Sequence, residues 1–135
     1  KVNIIGKRKD LPNDVKRIIE IVEKKTINNK IITLNIALNY GSKEEIISVC
    51  KSLVKEKKKE INIKNFEKRL YTKNIPHPDI LIRTGGKKRL SNFLLWQLAY
   101  AEIFFVNKLW PDFNEDDFNN ILKKYNKIKR NFGKI

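Results

Sequence analysis

The chain has 135 residues, 41% hydrophobic and 33% charged, and its 30 Lys and Arg outnumber its 15 Asp and Glu to give a net charge of +15. That length suits one domain with a core, because a chain of about this size buries roughly two-thirds of its unfolded surface, and wholesale disorder is excluded. No run approaches the roughly 20 apolar residues that cross a bilayer, the single cysteine Cys50 allows no internal disulfide, and His77 as the only imidazole disfavours zinc.

The chain contains no methionine, which predicts that it is part of a longer reading frame. Lys (24), Ile (20) and Asn (16) together make up 60 of the residues, a bias of A/T-rich codons, so much of the positive charge follows composition rather than a partner. The six arginines, which that bias does not favour, carry more information.

In chain order, Val2 to Ile5 is a short apolar run stopped by Gly6, and Leu11-Pro12-Asn13-Asp14 signals a helix start. Val15, Ile18, Ile19, Ile21 and Val22 then recur at helical spacing up to Lys25, predicting one buried face. Ile31 to Tyr40 is rich in Ile and Leu and reads as a strand covered on both faces, as in parallel sheets. Ser42 with Glu45 predicts a capping box opening a helix through Val54, and Lys55 to Glu60 reads as its solvated end. Asn65 to Leu70 predicts a short helix.

Pro76-His77-Pro78 breaks the chain before a third strand, Ile80-Leu81-Ile82. From Leu90 to Asn107 the only charged residue is Glu102, which predicts a mostly interior stretch. Within it, Ser91 or Asn92 is placed to cap a helix to about Ala99, and Ile103 to Val106 reads as a strand. A last amphipathic helix falls between Phe113 and Asn131, with Asp116 and Asp117 near its start and Lys127, Lys129 and Arg130 near its end. This alternation predicts an α/β fold, a mostly parallel sheet flanked by helices, with no linker dividing two domains.

The segment Arg83-Thr84-Gly85-Gly86-Lys87-Lys88-Arg89-Leu90-Ser91 carries the most chemistry. Ligands of parallel sheets bind beyond the carboxyl ends of strands, where this strand delivers Arg83. Two glycines let the backbone approach a ligand, and Arg89, the Ser91 hydroxyl and a helix N-terminus suit a phosphate or diphosphate. Pattern alone also allows Arg83 and Arg89 to pair with surface carboxylates while Ser91 merely caps a helix. The segment is not a Walker A loop, because its spacing differs.

Glu102, alone in its uncharged run, needs a cation, hydrogen bonds or a metal if it is buried. A salt bridge to one of the arginines and a site for a hard ion such as Mg²⁺ both satisfy that need. Asp79 reads as a turn or cap residue and His77 as an exposed loop residue. Phe93, Trp96, Phe104, Phe105 and Trp110 read as core packing.

Three stretches carry a resemblance. Ile82-Arg83-Thr84-Gly85-Gly86, the run from Arg89 through Ser91-Asn92-Phe93-Leu94-Leu95-Trp96-Gln97 to Glu102, and Leu109-Trp110-Pro111-Asp112-Phe113 closely resemble the cis-prenyltransferases of the bacterial undecaprenyl diphosphate synthase type. Leu34 to Gly41 and Asn131-Phe132-Gly133 fit as well, so the likeness covers almost the whole chain.

The resemblance implies an enzyme that adds isopentenyl diphosphate to an allylic diphosphate such as farnesyl diphosphate, with Mg²⁺, to make a polyprenyl diphosphate such as undecaprenyl diphosphate, the cell-wall lipid carrier. It implies that Arg83, Arg89 and Ser91 hold the diphosphate of isopentenyl diphosphate and that Glu102 takes part in metal binding. It further implies a homodimer, with Phe104 to Trp110 a candidate contact, a cytoplasmic setting with any organellar targeting segment upstream, and peripheral membrane contact through the product.

The sequence departs from the family pattern at Lys87, where a Glu is usual, and at Asn131, where an Arg is common. The Asp-Gly-Asn-Gly-Arg-Trp loop of the family's N-terminal half, whose Asp binds Mg²⁺ and which holds the allylic diphosphate, has no counterpart here. The expectation is therefore a C-terminal portion of one cis-prenyltransferase domain, inactive by itself. A non-catalytic subunit of a prenyltransferase complex is the alternative. A nucleic-acid module, suggested by the charge, ranks behind both because the aromatics cluster in the uncharged run instead of alternating with basic residues.

Overall fold

The Val2–Ile5 run does form a strand, β1, but the groups on its outer edge are satisfied by a helix rather than by another strand. In the computed structural model, which describes residues 1–56 and 60–129, the chain divides into two compact units, Lys1–Ile75 and Pro76–Ile135.

In the first unit, helix α1 (Asn13–Thr26) packs on β1. The Thr26 hydroxyl accepts from the Val2 N–H at 3.0 Å and the Glu23 carboxylate accepts from the Ile4 N–H at 2.8 Å. These side chains occupy donors that would otherwise leave a strand edge open. On the other side, β1 pairs in parallel with β2 (Leu34–Ala37), with Val2 opposite Leu34 and Ile5 opposite Ala37.

Two expectations fail at this ladder. The strand predicted over Ile31 to Tyr40 shortens to four residues, and it is not covered on both faces: Leu34 is 53% exposed, and Ile31, Ile32 and Ile36 are exposed as well. Its pairing partner β1 covers one edge, and among the described residues Leu34 and Ile36 are only partly covered. Gly6, at φ +123°, lies so close to β2's continuation that an added Cβ would fall 2.1 Å from the Leu38 carbonyl oxygen.

Helix α2 (Ser42–Lys55) starts where expected, with Gly41 immediately before its first turn. Glu45 turns inward. Only 2% exposed, its carboxylate accepts the Tyr40 hydroxyl at 2.7 Å and the Tyr71 N–H at 2.6 Å. These donors hold the carboxylate in the interior. Val49 and Leu53 of α2 join Phe66 of α3 (Ile63–Glu67) and Leu70 in the core. The Asn62 side chain caps α3, which ends three residues before Leu70. The charge run read as the end of α2 lies partly outside the described residues.

In the second unit, β3 (Ile80–Arg83) pairs in parallel with β4 (Glu102–Phe105), with Ile80 opposite Glu102 and Arg83 opposite Phe105. The helix predicted from Ser91 to Ala99 is absent. Ser91, Asn92 and Leu94 adopt φ of +49°, +61° and +45°, which break a right-handed helix at its first turn, and the segment runs as successive turns.

The stretch from Leu90 to Asn107 is also less interior than its lack of charge predicts. Only Gln97 and Leu98 are buried, while Phe93 and Phe105 are partly exposed and Trp110 is 73% exposed, stacked on Phe113 at 6.1 Å. Trp96 and Phe104 are half-buried. Helix α4 (Glu115–Tyr125) is shorter than the predicted span and opens with a capping box the sequence reading missed: Asn114 accepts from the Asp117 N–H and Asp117 accepts from the Asn114 N–H. Lys127 and Lys129 lie beyond its end, and Arg130 and Asn131 lie outside the described residues.

Candidate anion-binding site

Strand β3 ends on Arg83, and the chain after it is fastened to the continuation of β4. The Val106 N–H donates to the Arg83 carbonyl at 2.8 Å, the Gly85 N–H to the Lys108 carbonyl at 2.8 Å and the Gly86 N–H to the Val106 carbonyl at 3.0 Å. Gly85 (φ +85°) and Gly86 (φ +70°) thus supply left-handed backbone for the turn. Their N–H groups are already engaged within the protein, so the glycines shape the loop instead of donating to a ligand.

Fixed in this way, Arg83 reaches the far side of the loop. Its Nη1 donates to the Ser91 hydroxyl oxygen at 3.0 Å and to the Arg89 carbonyl oxygen. A pocket of about 280 Å³ opens beside these groups, lined by Arg83, Thr84, Arg89 and Ser91 together with Leu90 and Phe93. Three of the four residues expected in the site therefore line one pocket. Thr84, Leu90 and Phe93 are additions for which the sequence carried no signal beyond adjacency.

The alternative in which the arginines serve as surface ion pairs does not hold. Among the described residues, neither guanidinium meets a carboxylate. The helix N-terminus invoked for this anion site is also missing, because Ser91 begins turns. The positive character of the pocket rests on two guanidinium groups, and the Ser91 hydroxyl adds a neutral hydrogen-bonding group, a combination that suits a bidentate phosphate or diphosphate. The apolar side chains beside them suit a short hydrocarbon attached to that anion.

Glu102 lies elsewhere. As the first residue of β4 it sits at the opposite end of the ladder from Arg83, with its N–H on the Asp79 carbonyl at 2.9 Å. Its side chain is half-buried and makes neither the arginine salt bridge nor any other ion pair among the described residues. No carboxylate lines the Arg83 pocket, and no group of three or more metal-ligating side chains occurs among the described residues. Glu102 offers one carboxylate, and a hard ion such as Mg²⁺ held there would need further oxygen ligands beside it. Asp79 and His77 are exposed near the start of β3, as loop residues.

Lys87 and Lys88 are exposed on the loop. No helix in the described residues is long and apolar enough to cross a membrane.

Residues 1–133 match the family model described as putative undecaprenyl diphosphate synthase. The isoprenyl transferase of Oceanobacillus iheyensis is 46% identical over all of this chain and 56% of its own length. The ditrans,polycis-undecaprenyl-diphosphate synthase of Pasteurella multocida is 45% identical over 98% of this chain and 58% of its own. Among solved structures, a probable undecaprenyl diphosphate synthase from Campylobacter jejuni superposes with a TM-score of 0.88 at 37% identity, over 99% of this chain and 63% of that one. Lavandulyl diphosphate synthase from Lavandula x intermedia, solved with dimethylallyl diphosphate, gives 0.92 at 34% identity, over 99% and 60%. The chain thus spans less than two-thirds of the length of these relatives, and by the extent and identity of the match it belongs to the undecaprenyl diphosphate synthase family of prenyltransferases.

Proposed function

We propose that the full-length protein is a cis-prenyltransferase that condenses isopentenyl diphosphate onto an allylic diphosphate such as farnesyl diphosphate to make a polyprenyl diphosphate such as undecaprenyl diphosphate. This chain supplies the half-site for isopentenyl diphosphate. The observation that carries the reading is the convergence of Arg83, Arg89 and Ser91 on one small pocket with Leu90 and Phe93 beside them.

In this reading the two guanidinium groups and the Ser91 hydroxyl fix the diphosphate, and the five-carbon tail lies against the apolar lining. Holding the alkene in one orientation turns its attack on the allylic carbon into an effectively intramolecular step. A new carbon–carbon bond forms, the allylic carbon–oxygen bond breaks to release diphosphate, and a proton leaves the isopentenyl unit as the cis double bond forms. The cations of this pocket act on binding and orientation.

Mg²⁺ is proposed for the full-length enzyme, with Glu102 as this chain's contribution. The ion would neutralise charge on the departing diphosphate, and its remaining oxygen ligands would come from the substrate and from the aspartate loop expected upstream. The homodimer, the cytoplasmic setting and the membrane contact through the product belong to the same proposal. The 135 residues alone do not elongate a prenyl chain, because the aspartate loop expected for the allylic half is not in their sequence.

The test is steady-state and binding analysis of the full-length protein with Arg83→Ala and Glu102→Ala. The expected results are weakened isopentenyl diphosphate binding for the first and altered Mg²⁺ dependence for the second. Unchanged values for both would refute the site.

A further inference from the structure

We propose that the cavity at the carboxyl end of β1 is a second anion site, for a small ligand bearing several phosphate charges. The cavity measures about 680 Å³ and lies wholly within the first unit. Its walls come from three places: Lys7, Arg8 and Lys9 after β1, Ser48 and Ser52 on α2, and the 68–73 turn after α3. Its floor is apolar, formed by Ile5, Val49 and Leu70, all buried.

Lysine abounds on this chain for compositional reasons, so a basic patch alone means little. Two features set this one apart. The first is that the lining holds six basic residues and no acidic one. The second is how those six divide.

Three are engaged by carboxylates: Lys7 by Asp10 at 2.6 Å, Arg8 by Glu23 at 2.6 Å, and Arg69 by Glu56. These pairs brace the walls. The side chains of Lys68 and Lys73 have no hydrogen-bond or ion-pair partner among the described residues, neither does the Ser48 hydroxyl, and Lys9 keeps only a longer-range attraction to Asp10, which Lys7 already engages. Three exposed ammonium groups around one cavity repel each other, and an anion among them relieves that repulsion while the Ser48 hydroxyl can donate to it. Lysine, as a compact mobile charge, suits phosphate oxygens of varied geometry better than it suits one fixed carboxylate.

Size narrows the class. A cavity of this volume falls within the range of roughly 300–1,000 Å³ typical of small-molecule sites, and it sits beyond a strand's carboxyl end, where parallel α/β folds bind ligands. Tyr71, 40% exposed on the rim, offers an aromatic face to an organic portion of the ligand. The shared chemistry is a multiply charged phosphate group, supplied by a free polyphosphate or by an anionic lipid headgroup.

The experiment measures binding to full-length protein carrying Arg83→Ala, which disables the isopentenyl diphosphate pocket, with the allylic diphosphate half-site kept saturated by farnesyl diphosphate. One probe is inorganic tripolyphosphate, followed by calorimetry. The other is vesicles of phosphatidylglycerol in phosphatidylcholine, followed by sedimentation.

The proposal expects one probe or both to bind, and binding to weaken about tenfold or more in Lys9→Glu/Lys68→Glu/Lys73→Glu. A charge-matched control, Lys24→Glu/Lys25→Glu/Lys30→Glu on and after α1, should leave binding within about twofold. Tripolyphosphate binding alone assigns a free ligand, and vesicle binding alone assigns a headgroup. The triple Gln variant at the same three lysines keeps the comparison valid if the Glu variant unfolds. Binding unchanged by either cavity variant, equal loss in the control, or no binding of either probe overturns the proposal.

Discussion

Arg83 spans eight residues of sequence to place its Nη1 3.0 Å from the Ser91 hydroxyl oxygen. The same nitrogen donates to the Arg89 carbonyl, so one guanidinium both closes the loop and presents its remaining donors to the pocket. Arg83→Lys keeps the charge and loses the fork. Its expected effect is a rise in KM for isopentenyl diphosphate of roughly 10- to 100-fold in the full-length enzyme. Ser91→Ala removes one neutral hydrogen bond and should cost only about three- to tenfold. Steady-state kinetics on both variants gives the comparison, and a larger loss for Ser91→Ala would place the binding energy on the hydroxyl instead.

Glu102 and Arg83 stand at opposite ends of the β3–β4 ladder, three residues apart in register and so about 10 Å along the strands. Glu102→Gln should therefore leave metal-free binding of inorganic diphosphate within about twofold, since the carboxylate is too distant to touch it. The same variant should shift the Mg²⁺ concentration for half-maximal activity. Calorimetry without metal and a Mg²⁺ titration of turnover read the two effects separately.

Glu45 is buried with two donors, the Tyr40 hydroxyl and the Tyr71 N–H. In Glu45→Gln a single carbonyl oxygen remains and the amide nitrogen turns a donor toward a donor. The expected loss is about 1–3 kcal/mol of stability, read from thermal unfolding by circular dichroism. Tyr40→Phe should lose less, because the carboxylate keeps its backbone partner.

The hydrogen bonds from Arg8, joined by the Ile4 N–H, hold the Glu23 carboxyl below its ordinary value of 4.5. A carboxyl depressed by folding contributes stability that is present above its unfolded value and is lost as pH falls through the lower folded value. Unfolding midpoints measured from pH 7 down to pH 3 should thus decline below about 4.5, and Glu23→Gln should flatten that decline. At neutral pH the variant should also lose about 1 kcal/mol.

Two glycines separate steric collision from backbone angle. Gly6→Ala would drive a Cβ into the Leu38 carbonyl oxygen, whereas a Cβ on Gly85 meets nothing within 4 Å and pays only for its φ of +85°. Gly85→Ala is expected to cost about 1–2 kcal/mol and Gly6→Ala clearly more, about 3 kcal/mol or above. Chemical denaturation of the two variants checks the order.

The α/β character was legible because apolar runs and amphipathic spacing survive on a single sequence. The pocket was legible because Arg83, Gly85, Gly86, Arg89 and Ser91 lie within nine residues, so local geometry alone brings them together. The helix expected from Ser91 fails because Ser91 and Asn92, the residues read as its caps, adopt left-handed angles with Leu94 and turn the chain instead. The burial of Glu45 was not legible because its partners include the preceding Tyr40 and the distant Tyr71, and a spacing rule sees only the helix it opens. The burial of β2 and of Trp110 was overestimated for a different reason: hydropathy states what a side chain prefers, and the described residues of each unit do not cover these two places.

The uncovered β2 region bears on how the chain behaves in solution. Ile31, Ile32, Leu34 and Ile36 leave apolar surface exposed on a chain whose net charge of +15 keeps copies apart at low ionic strength. Salt shortens the reach of that repulsion to about 10 Å at 0.1 M and leaves the apolar attraction intact. Light scattering from the 135-residue chain should accordingly climb with sodium chloride, and Leu34→Lys should suppress the climb, so low-salt buffers are the ones in which this chain is best handled.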